Sequence, residues 1–167
     1  MNMDARHITA FLEATQAVFG TMMKMPVTFA APQLNTATSQ HDVSGLIGLS
    51  GDVVGCVVVG FNKESAVKIT SALACSPMEF GTPDFADAVG ELANMIAGGA
   101  KAKFKGMEIS IGCPSVVIAT AHSVHKPSSA ASLSIPCTTP AGTFTIDVTF
   151  QSSAKRSSLP SSESVAA

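Results

Sequence analysis

The stretch "HDVSGLIGLSGDVVGCVVVGF", residues 41–61, constrains the fold more than any other part of the chain. Two β-branched runs flank Gly51 and Asp52. A glycine at the first turn position suits a type II′ turn, whose twist matches that of the strands it joins. The stretch is therefore expected to fold back on itself as a β-hairpin. Its second run, Val53 to Phe61, is apolar on both faces, so that strand should lie inside a sheet covered on both sides.

The rest of the chain supplies helices and further strands. Residues 4–24 read as a helix, because Ile8, Phe11, Leu12, Val18, Phe19, Met22 and Met23 fall on one side at 3.6-residue spacing. Asp4 is placed to cap it and Pro26 to stop it, and "VTFAA" then reads as a short strand. After the hairpin, "NKESAVKITSALAC" is a helix with Asn62 as its cap and Pro77 ending it. "MEFGTP" is a loop, and residues 84–104 make the longest helix. "MEISIGC", "SVVIATA", "SSAASLSIPCTT" and "GTFTIDVTF" follow as strands, with alternation clear in the last and a turn at Pro140 and Gly142. The order of elements argues for an α+β fold, a mainly antiparallel sheet packed with long helices. One domain over residues 1–151 is expected. From 152 to 167 Ser and Ala dominate and no apolar period survives, so this part reads as a disordered tail.

Composition narrows the function classes. Hydrophobic residues make up 46% of the 167 and charged residues only 13%, a balance that points to exposed apolar surface or an oligomer interface. The net charge of -2 gives no electrostatic case for nucleic acid or an anionic membrane surface. No stretch approaches about 18 consecutive apolar residues, and the N-terminus lacks the pattern of a signal peptide. The cysteines Cys56, Cys75, Cys113 and Cys137 form no C-x-x-C pair, and are expected to be small buried hydrophobes in a reducing cytosol.

The long helix carries the most unusual constellation, "DAVGELANMIAGGAK" at residues 87–101. On a helical projection Phe85, Val89, Leu92, Ile96 and Ala100 share the core side. Asp87, Glu91, Asn94 and Gly98 lie together on the opposite side, in a stripe of about 60°. An ordinary solvated face would favour Lys, Glu, Gln and Arg. Asn is a poor helix former, and Gly98 and Gly99 each cost about 1 kcal/mol relative to Ala. Small residues beside a carboxylate and an amide would let another protein's backbone approach closely.

This stretch resembles the signature of the CheC/CheX/FliY family of chemotaxis phosphatases: an Asp or Ser, three residues, Glu, two residues, Asn, and further on a Pro. The matching positions are Asp87, Glu91, Asn94 and Pro114. "FLEATQAVFGTM", "GLIGLSGDVVGCVVVGF" and "LSIPCTTPAGTFTIDVTF" also resemble the CheX branch, so the likeness covers residues 8–150. The gap from Asn94 to Pro114 is a few residues shorter than the family pattern, which places the difference near residues 105–106. The resemblance implies hydrolysis of the aspartyl phosphate on a CheY-type receiver domain of two-component signalling, in the cytoplasm. It implies that Asn94 orients the attacking water and that Glu91 docks on the receiver's lysine. Asp87, Gly98 and Lys101 would lie in the partner-binding surface. It further implies that the magnesium is supplied by the receiver, that this chain holds no metal site of its own, and that it forms a homodimer by extending its sheet. A non-catalytic module that sequesters a phosphorylated receiver, and a dimerisation scaffold, are the competing readings.

Other residues invite weaker readings. His122 and His125 lie three apart, but on an extended segment they point to opposite faces and lack a third ligand. Lys101, Lys103 and Lys105 suit the C-terminus of a helix, or could steer the chain toward an acidic partner. Glu13 and Gln16 repeat the spacing of Glu91 and Asn94 on the first helix, where an exposed helix stripe explains them well enough.

Overall fold

A computed structural model describes residues 5–34, 40–125 and 131–152. In chain order the elements are α1 (Ala5–Met22), β1 (Thr28–Phe29), β2 (Gln33–Leu34), β3 (Gln40–Gly51), β4 (Val53–Phe61), α2 (Lys63–Ala74), α3 (Pro83–Lys101), β5 (Ile109–Ile111), β6 (Ser115–Ser123), β7 (Ala131–Thr139) and β8 (Gly142–Ser152). The strands form one antiparallel sheet in the order β1-β7-β8-β4-β3-β5, with β2 also on β7 and β6 also on β3. The α+β class expected from the sequence is the class observed. The proposed cap Asp4 and residues 153–167 of the expected tail lie outside the described residues; β8 itself runs through Ser152.

The central hairpin forms, but Leu49 stands opposite Gly55, so the turn is centred on Asp52 and is not the two-residue type II′ turn expected at Gly51 and Asp52. Gly51 has φ +106°, a conformation that favours glycine. A Cβ there would overlap the carbonyl oxygen of Glu108. Asp52 clasps the same residue: its N–H donates to the Glu108 carbonyl (2.9 Å), and its Oδ2 accepts from the Glu108 N–H (2.8 Å).

Directly paired strand residues share a face, so the register lays out the core in rows. Gly45, Val59, Ile146 and Ile135 form one row, and Ile47, Val57, Val148 and Leu133 the next. Every member of these rows except Gly45 contributes a buried apolar side chain to the core. On the opposite face of β4, Val58 is buried while Val54 is 45% exposed, so only part of that strand is covered on both sides as expected.

The helices cover the core rows. Phe19 of α1 stacks on Phe144 of β8, and Phe11 lies beside Phe150. α3 rests on β3, where Gly45 removes the side chain that would meet Ala93. α1 and α3 touch at Ala14 and Gly99. α3 begins with Pro83 at its first turn and the Thr82 side chain accepting from the Phe85 N–H. It ends at Lys101, three residues before the expected boundary, where Phe104 joins His7, Phe11 and Phe150 in an aromatic cluster. α2 is capped by Asn62 as expected, but its last cap is Cys75 in the left-handed conformation (φ 54°), before Pro77 is reached. Among the described residues no helix is long and apolar enough to cross a membrane.

Candidate functional site

α3 carries the candidate site, and its faces divide as the periodicity requires. Phe85, Val89, Leu92, Ile96 and Ala100 are fully buried. Asp87, Glu91 and Lys101 are exposed, while Asn94 and Gly98 are half-buried. Gly90, Ala93 and Ala97 are buried as well: Ala93 lies over Gly45 of β3, and Gly90 faces Pro114 and Val116. None of the stripe residues is packed in the core.

Asn94 is flanked along α3 by two glycines that share a neighbour helical projection does not reveal. A Cβ at Gly90 would stand 3.4 Å from the Pro114 Cβ and from the Val116 Cγ2, and a Cβ at Gly98 would stand 3.7 Å from the Ile111 Cδ1. Segment 111–114 therefore runs beside α3, with Ile111 near Gly98 and Pro114 near Gly90. The motif proline, 20 residues beyond Asn94 in the chain, is brought to the same surface, and Pro114 itself is exposed. Gly98 is a contact for Ile111 as well as a reduction in bulk.

No hydrogen bond or ion pair between described residues engages the side chain of Glu91 or Asn94. The site therefore presents an uncommitted carboxylate and an uncommitted amide, one helical turn apart. A carboxylate can accept from a partner's ammonium group, and an amide can donate and accept at once without titrating.

The remaining candidates are held elsewhere. Lys103 Nζ lies 2.8 Å from Glu13 Oε2, so Glu13 ties α1 to the end of α3. His122 sits at the β3–β6 edge, with Nε2 2.9 Å from the Ser44 Oγ and Nδ1 2.7 Å from the Ala119 carbonyl oxygen. Its ring is 6.3 Å from that of His41, and no group of three or more His, Cys, Asp or Glu suited to a metal occurs among the described residues. Asp42 accepts from the N–H groups of Lys63 (2.9 Å) and Ala121 (3.2 Å), and these hydrogen bonds hold its carboxyl below the usual aspartate range.

The cysteines correct the sequence expectation. Cys137 is buried, and burial pushes its thiol up to about 12. Cys56 is half-buried, but Cys75 and Cys113 are exposed. Cys75 is exposed because it ends a helix, and Cys113 lies in the exposed link between β5 and β6.

Comparison with known proteins follows the same lines. The family model described as chemotaxis phosphatase CheX matches residues 43–138. A CheY-P phosphatase CheX from Thermotoga maritima is 29% identical over 120 residues, covering 69% of this chain and 77% of the relative. A CheC-like superfamily protein from Shewanella sp. PV-4 is similar in structure with a TM-score of 0.82 and 30% identity, covering 89% of this chain and 99% of that one. The fold is also similar to that in a CheX–CheY–BeF3–Mg complex from Borrelia burgdorferi, with a TM-score of 0.74 and 21% identity over 90% of this chain and 99% of the other.

Proposed function

The chain belongs to the chemotaxis phosphatase CheX family, and from that membership we propose that it hydrolyses the aspartyl phosphate of a CheY-type receiver domain. The observation that carries the reading is the division of labour on α3: Glu91 exposed, Asn94 half-buried, both uncommitted and both on one stripe.

The chemistry asks little of the enzyme's own groups. An acyl phosphate is already activated, so no covalent nucleophile is needed. Water attacks phosphorus, the bond between phosphorus and the aspartate oxygen breaks, and inorganic phosphate and a free carboxylate result. Catalysis reduces to holding the water in line and neutralising charge. Positioning of this kind can be worth about 7–11 kcal/mol. Asn94 supplies the amide that orients the water, one dipole accepting and the other donating. Glu91 accepts from the receiver's lysine and docks the helix. Asp87 and Lys101 border the contact, and Gly98 lets the partner's backbone approach. The magnesium that neutralises the phosphoryl oxygens comes with the receiver.

The name of the Thermotoga maritima relative and the Borrelia burgdorferi complex support a CheY-type partner. The reading carries a cytoplasmic location with it. It also carries a homodimer joined at a sheet edge. β6 suits this: it pairs with β3 on one side, and Val117 on it is 38% exposed. Light scattering at micromolar concentration tests the dimer.

Phosphate release from a phosphorylated receiver, with and without this protein, tests the activity. Acceleration is expected. Binding without acceleration would make the chain a sequestering module, and neither would leave it a scaffold.

A further inference from the structure

Asn94 stands midway between Gly90 and Gly98, four residues from each along α3 and about 40° around the helix from each. Both glycines face the same segment: Gly90 faces Pro114 and Gly98 faces Ile111. The two glycines are about 12 Å apart along the axis, and three extended residues from 111 to 114 span about 10 Å. The lengths match, so the segment between Ile111 and Pro114 passes the level of Asn94 along the helix. Glu91, about 100° around the helix from Gly90, is exposed.

We propose that segment 111–114 is a positioning wall for the Asn94 amide, and that Gly90 and Pro114 are the positioning residues that keep it flush with α3. The proposal rests on the role given to Asn94 above and adds what prepares that side chain before the receiver arrives. The wall is fixed at both ends and in the middle to β3. Ile111 pairs with Leu49, the Gly112 N–H donates to the Gly48 carbonyl oxygen at 2.9 Å, and Ser115 and Val116 pair with Leu46 and Gly45. Gly45 is also where α3 rests on the sheet, so helix and wall share one strand as their foundation. Pro114 adds a fixed φ. An amide with one side against such a wall has fewer rotamers to lose on docking, which is preorganisation at the residue that must hold water.

Gly90 is the sensitive point. A single methyl there would make contact with Pro114 and Val116 at 3.4 Å, so alanine fits and anything longer must push Pro114 outward. The test uses Gly90→Ala, Gly90→Leu and Pro114→Gly in the full chain. Three quantities are measured: single-turnover hydrolysis of a phosphorylated receiver, affinity for the beryllofluoride-treated receiver, and the NMR relaxation of the Asn94 side-chain amide in the free protein. Gly90→Leu and Pro114→Gly are expected to lower the single-turnover rate by about 10- to 100-fold, leave the affinity unchanged, and loosen the Asn94 amide. Gly90→Ala is expected to restore both rate and rigidity. Should Gly90→Leu fail to fold, Pro114→Gly carries the test, because it removes stiffness without adding bulk. Wild-type rates with a rigid Asn94 amide in Pro114→Gly would overturn the proposal, as would a rate that falls only in step with affinity. If the unaltered protein shows no hydrolysis, the phosphatase reading fails. The amide measurement still decides the wall: an amide that is rigid in the unaltered protein and loosened in Pro114→Gly supports it, and one already mobile in the unaltered protein overturns it.

Discussion

Gly45 of β3 lies so close beneath Ala93 of α3 that a Cβ at position 45 would stand 2.8 Å from the Ala93 Cβ and 3.2 Å from the Val89 carbonyl oxygen. The contact involves the helix backbone, so a side chain cannot be accommodated by a rotamer change. It sets the height of α3 above the sheet and, through β3, the height of segment 111–114 beside it. Gly45→Val is therefore expected to overpack the interface and to destabilise the fold by about 1–3 kcal/mol. A urea titration of the variant checks this; an unchanged midpoint would mean that α3 is free to ride higher than its packing indicates.

Glu13 illustrates how a sequence pattern can point two ways. Its spacing to Gln16 matches that of Glu91 to Asn94, but the carboxylate is engaged by Lys103. The pair is 53% and 40% exposed at its two side chains, so its contribution to stability should stay below about 1 kcal/mol. Glu13→Gln and Gln16→Ala are each expected to leave hydrolysis of the phosphorylated receiver unchanged. Loss of turnover in Gln16→Ala would instead reveal a second active centre on α1.

The hairpin, the helices and the two faces of α3 were legible in the sequence because each is a local property. A Gly-Asp turn between β-branched runs and a 3.6-residue apolar period need no knowledge of distant residues. Asn94 shows where local reading stops. Projection puts it on the outer stripe with Glu91, but it is half-buried, and the sheet brings segment 111–114 alongside α3 beside the glycines that flank it. Gly90, which faces that segment, is in the sequence only one small residue among several. The same holds for Cys75 and Cys113, whose exposure follows from a helix end and from the link between β5 and β6. Their apolar character gave no hint of it.

Those thiols are expected to react differently in the folded protein. Cys75 and Cys113 should label rapidly with a maleimide, whereas Cys137, buried and with its thiol pushed up to about 12, should label only after unfolding. Because Cys113 adjoins Pro114, which faces Gly90 of α3, a bulky adduct there should block receiver binding, and one at Cys75 should not. Labelling single-cysteine variants and measuring receiver affinity separates the two. Full affinity after modification of Cys113 would place the docking surface elsewhere.

Asp42 gives a pH dependence with a definite sign. Two backbone N–H groups, from Lys63 and Ala121, stabilise its carboxylate and lower its folded-state pKa. A group with a depressed folded pKa contributes stability that is fully present above its unfolded value of about 3.9. That contribution is lost as pH falls through the lower folded value. Asp42→Ala should therefore be less stable than the unaltered protein at neutral pH, and the difference should shrink below about pH 4. Denaturant midpoints across the acid range check this; a difference that grows on acidification would contradict the assigned hydrogen bonds.

The two motif residues of α3 should fail in different ways, because they stand one turn apart with different surroundings. Asn94→Ala removes the half-buried amide and leaves the exposed carboxylate of Glu91 in place. Turnover should collapse while affinity for a beryllofluoride-treated receiver survives. Glu91→Ala removes a charge-assisted contact from an interface that is desolvated on docking, where losing one partner costs about 2–5 kcal/mol. Affinity and turnover measured at limiting receiver should then fall together, by a factor of about 30 or more at the lower end of that range. Saturating the Glu91→Ala variant with receiver should recover part of the rate, because the amide that holds the water is still present. Saturation should recover none of it in Asn94→Ala. Single-turnover rates across a range of receiver concentrations distinguish the patterns. If saturation rescues Asn94→Ala, the amide contributes to binding and not to the orientation of water. If neither substitution changes rate or affinity, the stripe is an ordinary solvated helix face.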